Sequence, residues 1–200
     1  MTRLPSPGDN KTRLIPTLGP LGATALHAHL ARLTISHATS YCTSHPSTRL
    51  TIHLTGGTPA QGREWLGSDT LHILTQPPGD LGHRMAHAAS TALSDHPGPL
   101  IIIGTDCPSL DQTTLTAAFT ALGQTDIVLG PATDGGYYLI GMRKFSPTLF
   151  HTIPWSTPTV LTHTIAAATS AHLTFSLLPT LSDIDTPADL TPALLSLLNR

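Results

Sequence analysis

The chain has 200 residues, a formal net charge of −2 and only 11% charged side chains, so it offers no basic stripe for a nucleic-acid backbone. Its length suits one domain over residues 1–200, and it has neither an apolar run of about 18 residues for a membrane span nor a signal-peptide pattern. The two cysteines, Cys42 and Cys107, have no disulfide-framework or zinc-ligand spacing, so we expect a cytoplasmic protein. From the charge and the missing apolar run we expect no nucleic-acid partner and no membrane partner.

Helices and strands are predicted to alternate after an opening loop. Prolines and glycines indicate a loop over residues 1–19. Apolar spacing predicts helices at 22–38, 60–66, 83–94, 111–122, 157–171 and 187–198, and strands at 50–54, 71–74, 100–104, 126–130, 137–141 and 173–178. This alternation predicts a three-layer α/β/α fold around a mostly parallel sheet. Such a sheet normally begins with an apolar strand, whereas this chain begins directly in the loop, so we expect that either the sheet lacks its first strand or the sequence lacks its start.

Four aspartates stand where a ligand could bind. Asp106 follows an apolar strand, Asp134 precedes two glycines, and Asp183 and Asp185 precede the last predicted helix. Mg²⁺ typically takes one or two protein carboxylates while substrate phosphates supply other oxygens. Asp106 is therefore predicted to hold a cation at a strand end. Asp183 or Asp185 could instead cap the helix, and Asp134 could serve a turn.

Two segments could bind phosphate or nucleotide. Lys11 and Arg13 could clamp phosphate oxygens, or they could lie in a solvated loop, and their spacing favours neither interpretation. Gly79–Met85 places a flexible turn before a helix N-terminus, where backbone N–H groups can meet a nucleotide. Local sequence alone favours a simple strand-to-helix connection for this second segment.

Small and aromatic residues suggest a further ligand contact. Gly135 and Gly136, before Tyr137, allow close approach of a ligand, although a hairpin turn explains them equally well. Trp155 could stack on a sugar or base, but covering the core is the favoured interpretation. The sequence has no GxSxG elbow and no Walker A loop, which argues against hydrolase and kinase functions.

Six ordered blocks span nearly the whole chain, and together they resemble the radical-SAM/selenodomain-associated transferase family of glycosyltransferase-like proteins. Each block alone would be weak, whereas their order is specific. The blocks are Pro5–Gly8 with Lys11–Leu14, Gly79–Met85, Gly104–Pro108, Gly130–Gly141, Pro154–Thr157 and Asp183–Leu190.

The resemblance implies a GT-A, nucleotide-diphospho-sugar transferase fold with a Rossmann-like sheet, related to the molybdenum-cofactor and 2-phospholactate nucleotidyltransferases. It also implies roles for individual residues. Asp106 and Asp185 would bind Mg²⁺ or Mn²⁺, and Asp106 and Asp134 would be catalytic. The nucleotide would be bound by Lys11, Arg13, Gly79, Asp80, Gly82 and Arg84, and the sugar or acceptor by Gly135, Gly136, Tyr137 and Trp155.

The expected activity is metal-dependent transfer from a nucleotide sugar to a small-molecule acceptor. A nucleotidyltransferase that joins an NTP to a phosphorylated acceptor is the alternative, and a catalytically impaired nucleotide-binding relic ranks third because the acids and cations are present. The chain departs from the family at its start, where only Met1 and Thr2 precede Arg3. We expect the native chain to begin upstream and to supply the first strand there.

Overall fold

The computed structural model describes residues 1–198, which form two compact units. The first unit contains residues 1–75, 105–111 and those from 182 onward, and the second contains residues 76–104 and 112–181. The assignment of one domain to residues 1–200 stays a prediction. Within the described part of the chain, no helix is both long and apolar enough to cross a membrane.

Seven strands and six α-helices make up the described chain. The strands are β1 (Thr2–Arg3), β2 (Thr51–Thr55), β3 (His72–Thr75), β4 (Leu100–Ile103), β5 (Ile127–Pro131), β6 (Tyr137–Met142) and β7 (Phe175–Leu177). The helices are α1 (Ile15–Ser44), α2 (Pro59–Leu66), α3 (Leu81–Asp95), α4 (Gln112–Leu122), α5 (Val160–Ser170) and α6 (Pro192–Leu198). Short 3₁₀ helices lie at Thr12–Leu14, Pro147–Leu149 and Pro187–Asp189.

The first unit contains a parallel sheet in the order β1-β2-β3. Ile52 and Leu54 alternate with less buried neighbours along β2 and form a small core with Ile73 of β3. Helix α2 packs closely on this core, because a Cβ at Gly62 would lie 2.8 Å from Cδ2 of Leu54. Parallel pairing brings the carboxyl ends of the strands to one edge of the sheet, the edge at which ligands bind in open α/β sheets.

The opening of the chain differs from the predicted loop. Thr2 and Arg3 pair with Leu54 and Thr55, so a first strand is present, although it is only 2 residues long. An element this short contains too few residues to show a period-two pattern, which is why the sequence did not reveal it.

Helix α1 begins earlier than residue 22, the predicted start. Pro16 lies in its first turn, where the missing N–H needs no helical partner. Gly19 adopts φ 68°, which lets the helix change direction before Pro20. The prolines and the glycine therefore kink this segment without preventing a helix.

The second unit contains a mixed sheet in the order β4-β6-β5-β7. Strand β6 runs antiparallel to β4 and β5, whereas β7 runs parallel to β5. Leu129, Leu139 and Ile140 are fully buried in this sheet, while α3 packs on β4 and α4 packs on β5 and β6. Parallel strands with packed helices confirm the predicted α/β class.

Candidate functional site

The loop that follows β1 fixes the backbone of Lys11. Buried Asn10 accepts a hydrogen bond from the Ser6 N–H at 2.6 Å and donates one to the Leu4 carbonyl at 3.5 Å. Lys11 then adopts φ 48°, ψ 47°, a left-handed conformation that costs a non-glycine residue about 1 kcal/mol. The Lys11 carbonyl accepts a hydrogen bond from the Leu14 N–H at 2.8 Å, so both sides of the strained residue are anchored.

Two cations and two carboxylates meet in the first unit and form what we call the ionic cluster: Lys11, Arg13, Asp106 and Asp185. The Lys11 Nζ lies 2.5 Å from Asp106 Oδ1 and 3.8 Å from Asp185 Oδ1. An Arg13 guanidinium nitrogen donates to Asp185 Oδ2 at 2.6 Å. The structure therefore brings together four residues that the sequence predicted separately as phosphate and metal ligands.

Backbone contacts explain why the two acids are neighbours. The Ile184 N–H donates to the Asp106 carbonyl at 3.0 Å, which joins the segment after β4 to the segment before α6. The Ile184 side chain is buried in a core with Leu14 and Leu26. Burial of Ile184 therefore places Asp185, the next residue, beside Asp106, whose carbonyl accepts this hydrogen bond.

Asp189 holds the segment that carries Asp185. Its Oδ2 accepts hydrogen bonds from the Asp185 N–H at 3.1 Å, the Thr186 N–H at 2.7 Å and the Thr186 hydroxyl at 2.8 Å. Burial alone would raise the pKa of Asp189, but these hydrogen bonds and the Lys11 charge hold it below its ordinary value. Thr186 and Asp189 form a capping box, so the carboxylate of Asp185 is not the cap of this turn.

His27 is a residue near the cluster that sequence reasoning missed. Its ring is buried on α1, and Nε2 lies 2.9 Å from the Arg3 carbonyl. Burial lowers the pKa of His27, opposed by the Arg3 carbonyl and the negative charge of Asp106 and assisted by the positive charge of Lys11. The available signal was its helical spacing with Ala23, Leu30 and Ala31, which are buried on the same helix.

The donor chemistry of the cluster fits a hard divalent cation. Among residues 1–198 no three His, Cys, Asp or Glu side chains form a ready metal centre. Asp106 and Asp185 nevertheless have side chains that are 51% and 34% exposed, and both already contact one ammonium group. Two such carboxylates match what Mg²⁺ or Mn²⁺ takes from a protein when phosphates and water complete the shell.

In the second unit, Gly79 and Asp80 form the start of α3. Asp80 is the N-cap, since its Oδ1 accepts from the His83 N–H at 2.8 Å. Gly79 has φ 122°, and a Cβ there would lie 2.8 Å from Nδ1 of His83. These contacts correspond to the strand-to-helix connection that the sequence favoured. Arg84 on the same helix has a buried Nε without a partner among the described residues.

Gly82, Tyr137 and Trp155 pack together in the second unit. A Cβ at Gly82 would overlap the indole of Trp155. The rings of Tyr137 and Trp155 meet edge to face, with centroids 6.3 Å apart. Burial raises the pKa of Tyr137, so its hydroxyl stays protonated. Gly82 therefore makes room for an aromatic side chain of the same unit, in line with the core-covering interpretation of Trp155.

The turn between β5 and β6 uses Asp134, Gly135 and Gly136. Asp134 Oδ1 accepts from the Gly136 N–H at 2.8 Å, an Asx turn. Gly135 has φ 88°, a Cβ there would overlap the Pro158 carbonyl, and its own carbonyl accepts from the Leu161 N–H at 3.0 Å. The glycines are thus required by the turn and by packing against the start of α5, while the Asp134 side chain remains exposed.

The described architecture is that of a nucleotide-diphospho-sugar transferase fold. A crystal structure of a proposed nucleotide-diphospho-sugar transferase from Desulfovibrio desulfuricans G20 matches it with TM-score 0.82 and 31% identity, covering 92% of this chain and 80% of that chain. The chain belongs to the DUF2064 family, whose description is "uncharacterized protein conserved in bacteria" and whose model matches residues 38–157. The matched range includes Asp106 and Asp134.

Two more distant structures share the fold. The inositol-1-phosphate CTP transferase from T. maritima matches with TM-score 0.57 and 16% identity, covering 99% of this chain and 94% of that one. A CMP:2-keto-3-deoxy-manno-octonic acid synthetase complexed with CTP matches with TM-score 0.53 and 9% identity, covering 83% and 88%. No curated protein sequence matches the chain.

Proposed function

We propose that this protein is a metal-dependent glycosyltransferase that moves a sugar from a nucleotide-activated donor to a small-molecule acceptor. The ionic cluster carries the proposal, because it combines the two acids and two cations that a nucleotide diphosphate and its metal require. The D. desulfuricans relative, itself a proposed nucleotide-diphospho-sugar transferase, supports a nucleotide-using transferase. Membership of the radical-SAM/selenodomain-associated subgroup and a cytoplasmic location are parts of the proposal.

Each member of the cluster has a role in this proposal. Arg13 is 71% exposed, so its guanidinium can bind a diphosphate oxygen pair while one nitrogen contacts Asp185. Lys11 would add a second positive charge to the diphosphate, and Asp106 and Asp185 would hold Mg²⁺ or Mn²⁺. When bound, the metal would supply positive charge that stabilises the departing diphosphate. The roles predicted for the second-unit residues stay predictions.

Nucleotidyl transfer is the second candidate, and the fold shared with two CTP-using enzymes favours it. It would use the same acids and cations but would release pyrophosphate. Glycosyl transfer instead releases a nucleoside diphosphate. The leaving group therefore separates the two candidates without knowledge of the acceptor.

The test is an incubation of the protein with Mg²⁺ or Mn²⁺, a panel of NTPs and nucleotide sugars, and mixed sugar, polyol and phosphorylated acceptors. We expect release of a nucleoside diphosphate from one nucleotide sugar. Asp106→Asn should lower turnover by about 100-fold or more, since it removes one of the two carboxylates that would hold the charge-stabilising metal. Asp69→Asn is the matched control, because Asp69 is exposed on the same unit and outside the cluster.

Each alternative result has a definite meaning. Pyrophosphate release from an NTP would refute glycosyl transfer and support nucleotidyl transfer. Turnover that is equal in Asp106→Asn and Asp69→Asn would exclude the cluster from catalysis. Nucleotide binding without any turnover would favour the relic.

A further inference from the structure

Lys11 occupies the position between the two acids that an external cation would take. Its ammonium contacts Oδ1 of both Asp106 and Asp185, at 2.5 and 3.8 Å. The Lys11 side chain is only 5% exposed, whereas the acids are 51% and 34% exposed. Solvent, and any ion in it, therefore reaches the carboxylates more readily than it reaches the ammonium.

We propose that Lys11 is an internal competitor for the metal: with no metal bound it neutralises Asp106 and, together with Arg13, Asp185, and a divalent cation binds the two acids tightly only when Lys11 has turned toward the phosphates of a nucleotide. This inference rests on the proposed function, since it assigns an order of binding to the same cluster. It predicts that metal and nucleotide bind together and that metal alone binds weakly.

Charge repulsion gives the physical reason. A divalent ion coordinates carboxylate oxygen at about 2.1 Å, so it would lie within a few ångströms of an ammonium bound to the same carboxylate. Two cations at that separation repel strongly in a partly dehydrated site. Removing the ammonium from the acids should therefore raise their affinity for the metal.

The loop geometry restricts the transfer of the Lys11 ammonium from the acids to the phosphates to a side-chain movement. Asn10 and the Leu14 N–H fix the backbone on both sides of Lys11, whose left-handed conformation is already established. The flexible four-carbon stem of lysine can redirect its ammonium by changing rotamers. Arg13, 71% exposed, is the cation that an arriving phosphate meets in solvent.

The first experiment measures Mn²⁺ binding to the nucleotide-free protein by electron paramagnetic resonance of the free ion. We expect Lys11→Met to bind Mn²⁺ about tenfold or more tightly than the wild type. Lys144→Met is the matched control, since Lys144 is the other lysine of the chain and is exposed in the second unit. Lys144→Met should bind Mn²⁺ like the wild type. The double variant Lys11→Met/Asp106→Asn should lose the increase in Mn²⁺ affinity.

The second experiment is read on the wild-type protein and needs no substitution in the ionic cluster, since its one variant, Lys144→Met, serves only to assign the signals. With ¹³Cε-labelled lysine the chain gives two lysine side-chain signals, from Lys11 and Lys144, and Lys144→Met assigns them. Saturating Mg²⁺ should move the Lys11 signal, because its ion pair is displaced, and should leave the Lys144 signal in place.

The outcomes separate this inference from the proposed function. Equal or weaker Mn²⁺ binding in Lys11→Met, or an unmoved Lys11 signal at saturating Mg²⁺, would overturn the competitor role even if metal-dependent sugar transfer is found. Absence of Mn²⁺ binding in both wild type and Lys11→Met would overturn the metal dependence of the proposed function together with this inference.

Discussion

Replacing Asp189 by alanine tests whether a carboxylate outside the ionic cluster holds Asp185 in place. Its Oδ2 accepts three hydrogen bonds, from the Asp185 N–H and from the Thr186 N–H and hydroxyl, at 2.7–3.1 Å. A hydrogen bond to a charged group contributes about 1.5–3 kcal/mol, and loss of a helix cap costs about 1 kcal/mol. Because Asp189 is only half-buried and its bonds share one oxygen, we expect Asp189→Ala to lose about 2 kcal/mol of unfolding free energy in total.

The loss should depend on pH in a defined direction. The pKa of Asp189 lies below its ordinary value of 3.8 in the folded protein. A carboxylate of this kind contributes its full stability above the ordinary pKa and loses it as the pH falls through the lower folded-state pKa. The difference in stability between wild type and Asp189→Ala should therefore be largest at neutral pH and should shrink in acid.

Urea unfolding of both proteins from neutral pH to below 3.8 measures this difference. Asp189→Asn, which keeps an acceptor oxygen but removes the charge, should lose about half as much, roughly 1 kcal/mol. Asp69→Ala serves as the control for removing an exposed aspartate of the same unit. A stability difference that stays constant as the pH falls would refute the role assigned to the carboxylate charge.

Three further substitutions test other parts of the structure. Gly82→Ala should lose about 1–2 kcal/mol in urea unfolding, because the new methyl group overlaps the Trp155 indole and this outweighs the gain in helix propensity. The buried imidazole of His27 resists protonation, so the wild type should lose stability as the pH falls below 6.5. His27→Gln can still donate to the Arg3 carbonyl and should abolish this loss. Equal pH profiles of stability in the two proteins would contradict the prediction. Arg13→Gln should change stability by less than about 0.5 kcal/mol, since Arg13 is 71% exposed, yet weaken nucleoside diphosphate binding in calorimetry by about tenfold.

The regular elements could be predicted because burial imposes a period on the sequence. The alternation at 50–54 became β2 at Thr51–Thr55, and the helical spacing at 111–122 became α4 at Gln112–Leu122. Prediction failed where local signals compete with packing. Pro16 and Gly19 indicated a loop, but the first turn of a helix tolerates proline, and the buried face of α1 stabilises the helix beyond them.

The acids of the candidate site were predictable from position, whereas their partners were not. Asp106 was singled out because it follows an apolar strand, and Asp185 could have been either a ligand or a cap. Whether Asp185 is a ligand or a cap depended on Thr186 and Asp189, whose capping box leaves the Asp185 carboxylate available. The position of Asp185 beside Asp106 follows instead from the burial of Ile184 and from its N–H bond to the Asp106 carbonyl, tertiary contacts that no local pattern contains.

For Lys11 the sequence offered a phosphate clamp or a solvated loop, and the structure shows internal ion pairs with Asp106 and Asp185. This pairing explains how a covered lysine side chain is accommodated, since a charge shielded from solvent requires a partner. It also changes the energetics expected for binding. A phosphate that meets Lys11 exchanges one anionic partner for another, so its affinity depends on what then neutralises Asp106 and Asp185. Nucleotide and metal affinity should consequently be coupled through Lys11 rather than additive.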